Sequence, residues 1–181
     1  MTPNELLADV LLRFPVMYLA ETVQQSLLSQ ALGMYQSLAG VVEKLAIPDS
    51  SPVETPAGYQ SVAVCADTEG RWHDVTADAE SETLAVVTTS KSVAPFVLHY
   101  FVNLKDLDFD EDSLPSTSIT LLTEYLYTLI AIPNTQRARE AMLATGIQME
   151  LPDDNELNNR KTLLEQEMDE TAAIIPMATV Y

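Results

Sequence analysis

The sequence predicts an α+β fold: a helical bundle with a small, mostly antiparallel sheet inserted between its N-terminal and C-terminal helices. Three observations predict it. Apolar residues recur at helical spacing up to position 46 and again after Ser116. From Tyr59 to Val102 short apolar runs alternate with Asp, Thr, Glu, Gly and Ser turns, which is a strand pattern. Prolines fall at the junctions, in the segment 47–58 and at Leu114-Pro115. With 47% apolar residues among 181, the chain can bury a proper core. It reads as one domain over 1–173, with helices in 3–46, a sheet in 59–102 and helices in 116–172, then an extended tail over 174–181.

Residues 3–13 form the first predicted helix. Thr2 is its N-cap, and Pro3 occupies the first turn, where a missing N–H costs nothing. Leu6, Leu7, Val10 and Phe14 make its apolar face, and Pro15 breaks it. Val23, Leu28, Ala31, Tyr35, Val42 and Leu45 predict a long second helix over 20–46. Gly33 and Gly40 lie seven residues apart on one flank of it. Glycine inside a helix costs about 1 kcal/mol against alanine, which close packing by a neighbouring helix would offset. Simple tolerance of two glycines in a long helix is the alternative.

Strands are predicted over Tyr59–Ala66, Arg71–Val75, Thr83–Thr88 and Pro95–Val102, giving a sheet of three to four strands. Residues 62–65 and 84–87 are too apolar for a plain surface hairpin and should lie against helices or another subunit. A helix follows over 116–131, capped by Ser116 or Thr117, with Ile119, Leu122, Leu126, Leu129 and Ile130 on one face. Pro133 ends it, and Asn134 caps a further helix that Gly146 terminates. Residues 147–151 are extended. Asp153 with Glu156 resembles a capping box and opens a helix to about Ala172. Its apolar stripe is only Leu157, Leu164 and Met168, helped by Leu163, which suits a helix completed by another chain. The apolar, uncharged residues 174–181 read as a tail that docks on a partner by strand addition.

Twenty-seven acidic against nine basic side chains give a formal charge of −18. Acid is thinnest in residues 1–48, which carry −2, while 49–90 carry −7. Such a field repels phosphates and anionic membrane surfaces, and there is no basic face for reading DNA. An acidic protein can still surround DNA as a wall that does not stick to it. Cys65 is the only cysteine, so no intrachain disulfide forms, as suits a reducing compartment. The start MTPNELLADVLLRF reads as an amphipathic helix and not a signal peptide, and no apolar run approaches the ~20 residues of a membrane span. Synthesis in a cytoplasm is expected.

No catalytic, cofactor or metal signature is present, so no enzymatic role and no cofactor is expected. Asp106, Asp108, Asp110 and Asp112 alternate like the first half of a calcium loop, but Glu111 and Thr117 stand where that loop needs Gly and Glu. The stretch is read as a solvated acidic turn that favours the N-terminus of the next helix, with adventitious divalent-cation binding as the alternative. His73 and His99 are not spaced with Cys65 or a carboxylate as a ligand set would be, and read as core or sheet-surface histidines. Cys65 reads as a small buried residue. Arg137 and Arg139, like Arg160 and Lys161, form salt bridges to neighbouring acids in this reading. In an oligomer Arg137 and Arg139 would face the acidic turn of an adjacent subunit.

The order of elements is more specific than any one motif. A helical arm with ALGMYQSLAG leads to short strands, then FVLHYFV, an acidic connection with Asp106, Asp108, Asp110, Glu111 and Asp112, Leu114-Pro115, ITLLTEYLYTLIAI, NTQRAREAML and DDNELNNRKTLLEQEMDE. This order resembles the head-to-tail adaptor (connector) proteins of tailed bacteriophages, of the short-tailed type. The likeness covers most of the chain; Ala31, Leu32, Tyr35, Tyr100, Leu114 and Pro115 are the nearest matches. It implies a structural virion protein at the head–tail junction. It also implies a homo-oligomeric ring, typically of twelve copies, between the portal protein and the tail or nozzle, through which DNA passes without specific binding. The C-terminal segment then docks the portal, through Ile174, Ile175, Pro176, Met177, Val180 and Tyr181. So high a charge must be tolerated in a crowded ring. Acidic segments should therefore face the lumen or outer solvent, and subunit contacts should use the N-terminal helices.

Two rivals stand beside this reading. A tail-completion or tail-terminator protein is also a ring. An acidic regulatory or DNA-mimic protein would instead be a monomer or dimer with carboxylates in a phosphate-like array.

Overall fold

A computed structural model describes residues 1–146 and 150–172 of the chain. The fold is α+β, with four helices and two three-stranded antiparallel sheets among the described residues. The chain divides into two units, residues 1–39 with 107–172, and residues 40–106.

The first unit is helical. Helix α1, Pro3–Leu11, starts with a complete capping box, in which the Thr2 hydroxyl accepts from the Glu5 N–H while the Glu5 carboxylate accepts from the Thr2 N–H. Helix α2 spans Glu21–Leu38. Helix α3 spans Ile119–Thr145 and packs against α1, α2 and α4, Asp154–Glu170. Leu6, Val10, Leu28, Leu32, Leu122 and Leu126 are fully buried in this bundle. Each fully buried leucine contributes about 1.5–3 kcal/mol relative to leaving it in water.

The helices depart from the sequence expectations in three places. The second helix does not reach residue 46. It stops at Leu38, Gly40 turns the chain at φ +65°, and Val42 and Leu45 belong to a strand. Val41-Val42-Glu-Lys-Leu-Ala-Ile satisfies both periods, and its β-branched residues find a strand partner in FVLHYFV. The helix after the acidic turn starts at Ile119 with Ser118 as its cap residue, not at Ser116 or Thr117; the Ser118 hydroxyl donates to the Pro115 carbonyl instead of capping an N–H. Nor does Pro133 end that helix. α3 runs through it, because Leu126, Leu129, Ile130, Ala131 and Ala138 form one continuous buried face. Burial of that face outweighs the ~3 kcal/mol that an internal proline costs. Asn134 is therefore a buried mid-helix residue, whose Oδ1 accepts from Tyr18 N–H at 2.7 Å and whose Nδ2 donates to the Val16 carbonyl at 3.0 Å. Gly146 does terminate the helix, with φ +74°. Asp153 caps α4 through the Asn155 N–H, and Leu157, Leu164 and Met168 are its buried stripe, while Leu163 is 64% exposed.

The second unit holds the sheets. Strands β1 (Val42–Ile47), β2 (Val53–Glu54), β3 (Tyr59–Ala66), β4 (Val75–Asp78), β5 (Thr83–Val86) and β6 (Phe96–Val102) pair in the orders β1-β6-β3 and β2-β5-β4. The expected strand Arg71–Val75 is not one: Trp72 makes a single bridge to Ala66, and the strand proper begins at Val75. Asp67 and Gly70 close a turn that occupies Arg71, so pairing restarts later. Ile47, Cys65, Leu84, Phe96 and Leu98 are buried in this unit. Of the apolar runs singled out above, Cys65, Leu84 and Val86 are buried and Val62 and Val64 half-buried, whereas Val87 is exposed.

Candidate functional site

The most constrained polar arrangement is centred on Asp67, just after β3. Its side chain is completely enclosed. Oδ1 accepts from the N–H groups of Glu69 and Arg71, each at 2.9 Å. Oδ2 accepts from Val93 N–H at 3.3 Å and meets His73 Nε2 at 3.2 Å. Burial by itself pushes the Asp67 carboxyl up, but the bonds from Arg71, His73, Glu69 and Val93 outweigh it and hold the group at about 2. His73 is itself buried, edge-on to Phe96 at 5.2 Å, and its Nδ1 lies 3.5 Å from Ser92 Oγ.

Ser92, His73 and Asp67 thus have the composition of a hydrolytic triad. The bonds are those of a clasp. Ser92 Oγ accepts from Thr89 N–H at 2.7 Å, and the Asp67 oxygens are committed to three backbone donors. The cluster fastens the 67–71 turn to the 88–95 loop, where Thr68 N–H also reaches the Val93 carbonyl. Sequence reasoning missed the Asp67–His73 pair. Its signal was the turn Asp67-Thr-Glu-Gly70, with Asp at the first and Gly at the fourth position. Cys65 is buried nearby, and burial, then the Asp67 charge, push its thiol up. His99, by contrast, lies half-buried on β6, and burial and the neighbouring Lys44 lower its pKa.

The acidic turn organises itself through its own backbone. Asp108 Oδ1 accepts from the N–H groups of Asp110 (2.8 Å) and Glu111 (3.1 Å), and Asp112 Oδ2 accepts from Asp108 N–H at 2.8 Å. The turn docks on the first turn of α1, where Asn4 Nδ2 donates to Asp110 Oδ1 at 2.7 Å and Asn4 N–H to the Phe109 carbonyl at 3.1 Å. Negative charge beside a helix N-terminus is stabilising, and the helix served here is α1. Asp106 belongs to the second unit and accepts from Asn103 Nδ2 at 2.7 Å. Among the described residues, no three His, Cys, Asp or Glu side chains come together to hold a metal ion.

Of the two arginines expected to pair, Arg139 is bound within its own chain, to the Asp154 carboxylate and, at 2.6 Å, to the Pro152 carbonyl. The Asp154 hydrogen bond raises its pKa. Arg137 is exposed and forms no ion pair with a described residue. Arg160 pairs with Glu124, which also holds Arg13 at 3.0 Å, and Lys161 pairs with Glu165 at 2.8 Å. A groove of about 220 Å³ opens beside the stacked rings of Phe14 and Tyr127, 4.9 Å apart, with Asn134 and Pro152 in its wall. The tail residues Ile174, Ile175, Pro176, Met177, Val180 and Tyr181 lie outside the described residues. No helix among the described residues is long and apolar enough to cross a membrane.

No protein-family model matches the chain, and no curated protein is significantly similar to it.

Proposed function

We propose that the chain is a structural virion protein, a head-to-tail adaptor that forms a homo-oligomeric ring between portal and tail. The observation that carries this reading is the order of elements. A two-helix arm is followed by a β unit, residues 40–106, inserted before α3; the acidic turn and Leu114-Pro115 lie at its exit. That is the order on which the resemblance to phage connectors rests. The thin buried stripe of α4 and the exposed Leu163 supply a surface that a neighbour would complete. A strongly acidic chain suits a channel wall past which DNA slides without binding.

In this reading Arg137, which pairs with no described residue, meets a neighbour's acidic turn, since Arg139 is engaged internally. The portal contact is assigned to residues 174–181. Mixing the protein with portal rings tests both parts. A ring that co-sediments with portal is expected, and deletion of 174–181 should abolish that co-sedimentation. Unchanged docking by the truncated chain would remove the tail from the account, and a wild-type chain that stays monomeric beside portal would remove the adaptor.

A further inference from the structure

Among the described residues, one face of the sheet β1-β6-β3 is buried in its own unit and the other is not. Along β6, Phe96, Leu98, Tyr100 and Val102 are buried, whereas Val97 is 41% exposed and His99 and Phe101 are half-buried. Residues directly opposite in an antiparallel pair share a face. The register therefore sets Ala46, Val97 and Ala66 in one outward row, and the bridge from Ala66 extends that row to Trp72, which is 59% exposed. The next rows are Lys44, His99 and Val64, then Val42, Phe101 and Ser61. Among the described residues these rows are mostly apolar and hold no carboxylate, and Lys44 is their one fixed charge. Lys44 is exposed and forms no ion pair with a described residue.

We propose that this face is a contact surface for a second copy of the chain; the proposal rests on the ring reading and names where the copies meet. The argument is one of charge. Every copy brings −18, so most encounters between copies oppose carboxylate to carboxylate. A face whose described residues carry a lysine and no carboxylate is where an acidic surface can approach with little repulsion, and Lys44 attracts it. The exposed Trp72 and Val97 give that contact its apolar anchor, and tryptophan is among the residues that carry most binding energy at interfaces. A ring joins unlike surfaces of successive copies, so this face need not meet itself. It also relocates the contact from the N-terminal helices, where charge alone would put it.

Trp72 is the only tryptophan, so its fluorescence reports on this face alone. Sedimentation of the full chain over a concentration series, read together with Trp72 emission and acrylamide quenching, tests the proposal. Wild type should associate, with emission moving to shorter wavelength and quenching falling as it does. Val97→Glu and Trp72→Ser change exposed side chains and should keep the far-UV spectrum and Tm, yet weaken association at least about tenfold. Lys44→Glu should weaken it too, and more at low salt than at high salt. If wild type and Val97→Glu associate equally and Trp72 emission does not move, the face is not the contact, while the ring reading stands. If wild type stays monomeric at every concentration, alone and beside portal rings, both are overturned.

Discussion

The Tyr125 hydroxyl donates a 2.7 Å hydrogen bond to Glu165 and so ties the N-terminal part of α3 to α4. Tyr125 is fully buried, and Lys161 holds the same Glu165 oxygen at 2.8 Å from one turn earlier on α4. Burial, and then Glu165, raise the tyrosine pKa. For Glu165, burial pushes the pKa up, but the Lys161 and Tyr125 bonds outweigh it and leave it lowered. Together with the Arg139–Asp154 and Arg160–Glu124 pairs, this contact supports a helix whose apolar stripe is only three residues. Tyr125→Phe should therefore cost about 1.5–3 kcal/mol, the worth of a hydrogen bond to a charged acceptor. Urea denaturation checks it; an unchanged midpoint would mean that α4 is held without this bond.

The Asp67 clasp predicts a pH dependence. The folded-state carboxyl sits at about 2 against an ordinary 3.8. A lowered carboxyl contributes stability above its unfolded pKa, and that contribution is lost as pH falls through the folded value. Asp67→Asn keeps the shape but turns an amide donor toward Val93 N–H or toward the turn. Its Tm should fall by several degrees at neutral pH. The gap to wild type should close as both are acidified from about pH 4 to about pH 2. A gap of constant size would assign the effect to packing alone. The same clasp predicts that Asp67→Asn loosens both loops, seen as faster amide exchange at Arg71 and Val93.

Gly40 separates α2 from β1 with φ +65°, and a Cβ built there would touch nothing. The penalty for Gly40→Ala is then purely conformational, about 1 kcal/mol, and Gly40→Asn should cost less because asparagine visits this region. Thermal unfolding of the two variants checks the order. Equal stability of alanine and glycine here would contradict the assigned turn.

How far the sequence revealed this fold depended on whether two readings competed at a position. β3 and the strand FVLHYFV were plain, since alternation and turn residues bound them without a helical alternative. The α2–β1 boundary was hidden, because Val42 and Leu45 fit both periods and only the backbone at Gly40 decides. Pro133 and Asn134 gave a stop-and-cap pattern that local rules favour. Burial of the α3 face overrode it, and Asn134 instead holds the Val16–Tyr18 loop. The Asp67–His73 pair was visible only as an Asp–Gly turn, because its partners at 73 and 93 arrive from other segments. For the acidic turn, the sequence argued against a calcium loop on missing residues. The docking on α1 through Asn4 was beyond its reach, since it joins positions 106 residues apart.

The proposed adaptor role requires copies of this chain to assemble into a ring on a portal. Native mass measurement of the wild-type chain mixed with portal, followed by a low-resolution image, tests it most directly. One discrete multi-copy species is expected, a closed ring with a hole wide enough for DNA. A stable monomer under the same conditions would contradict it.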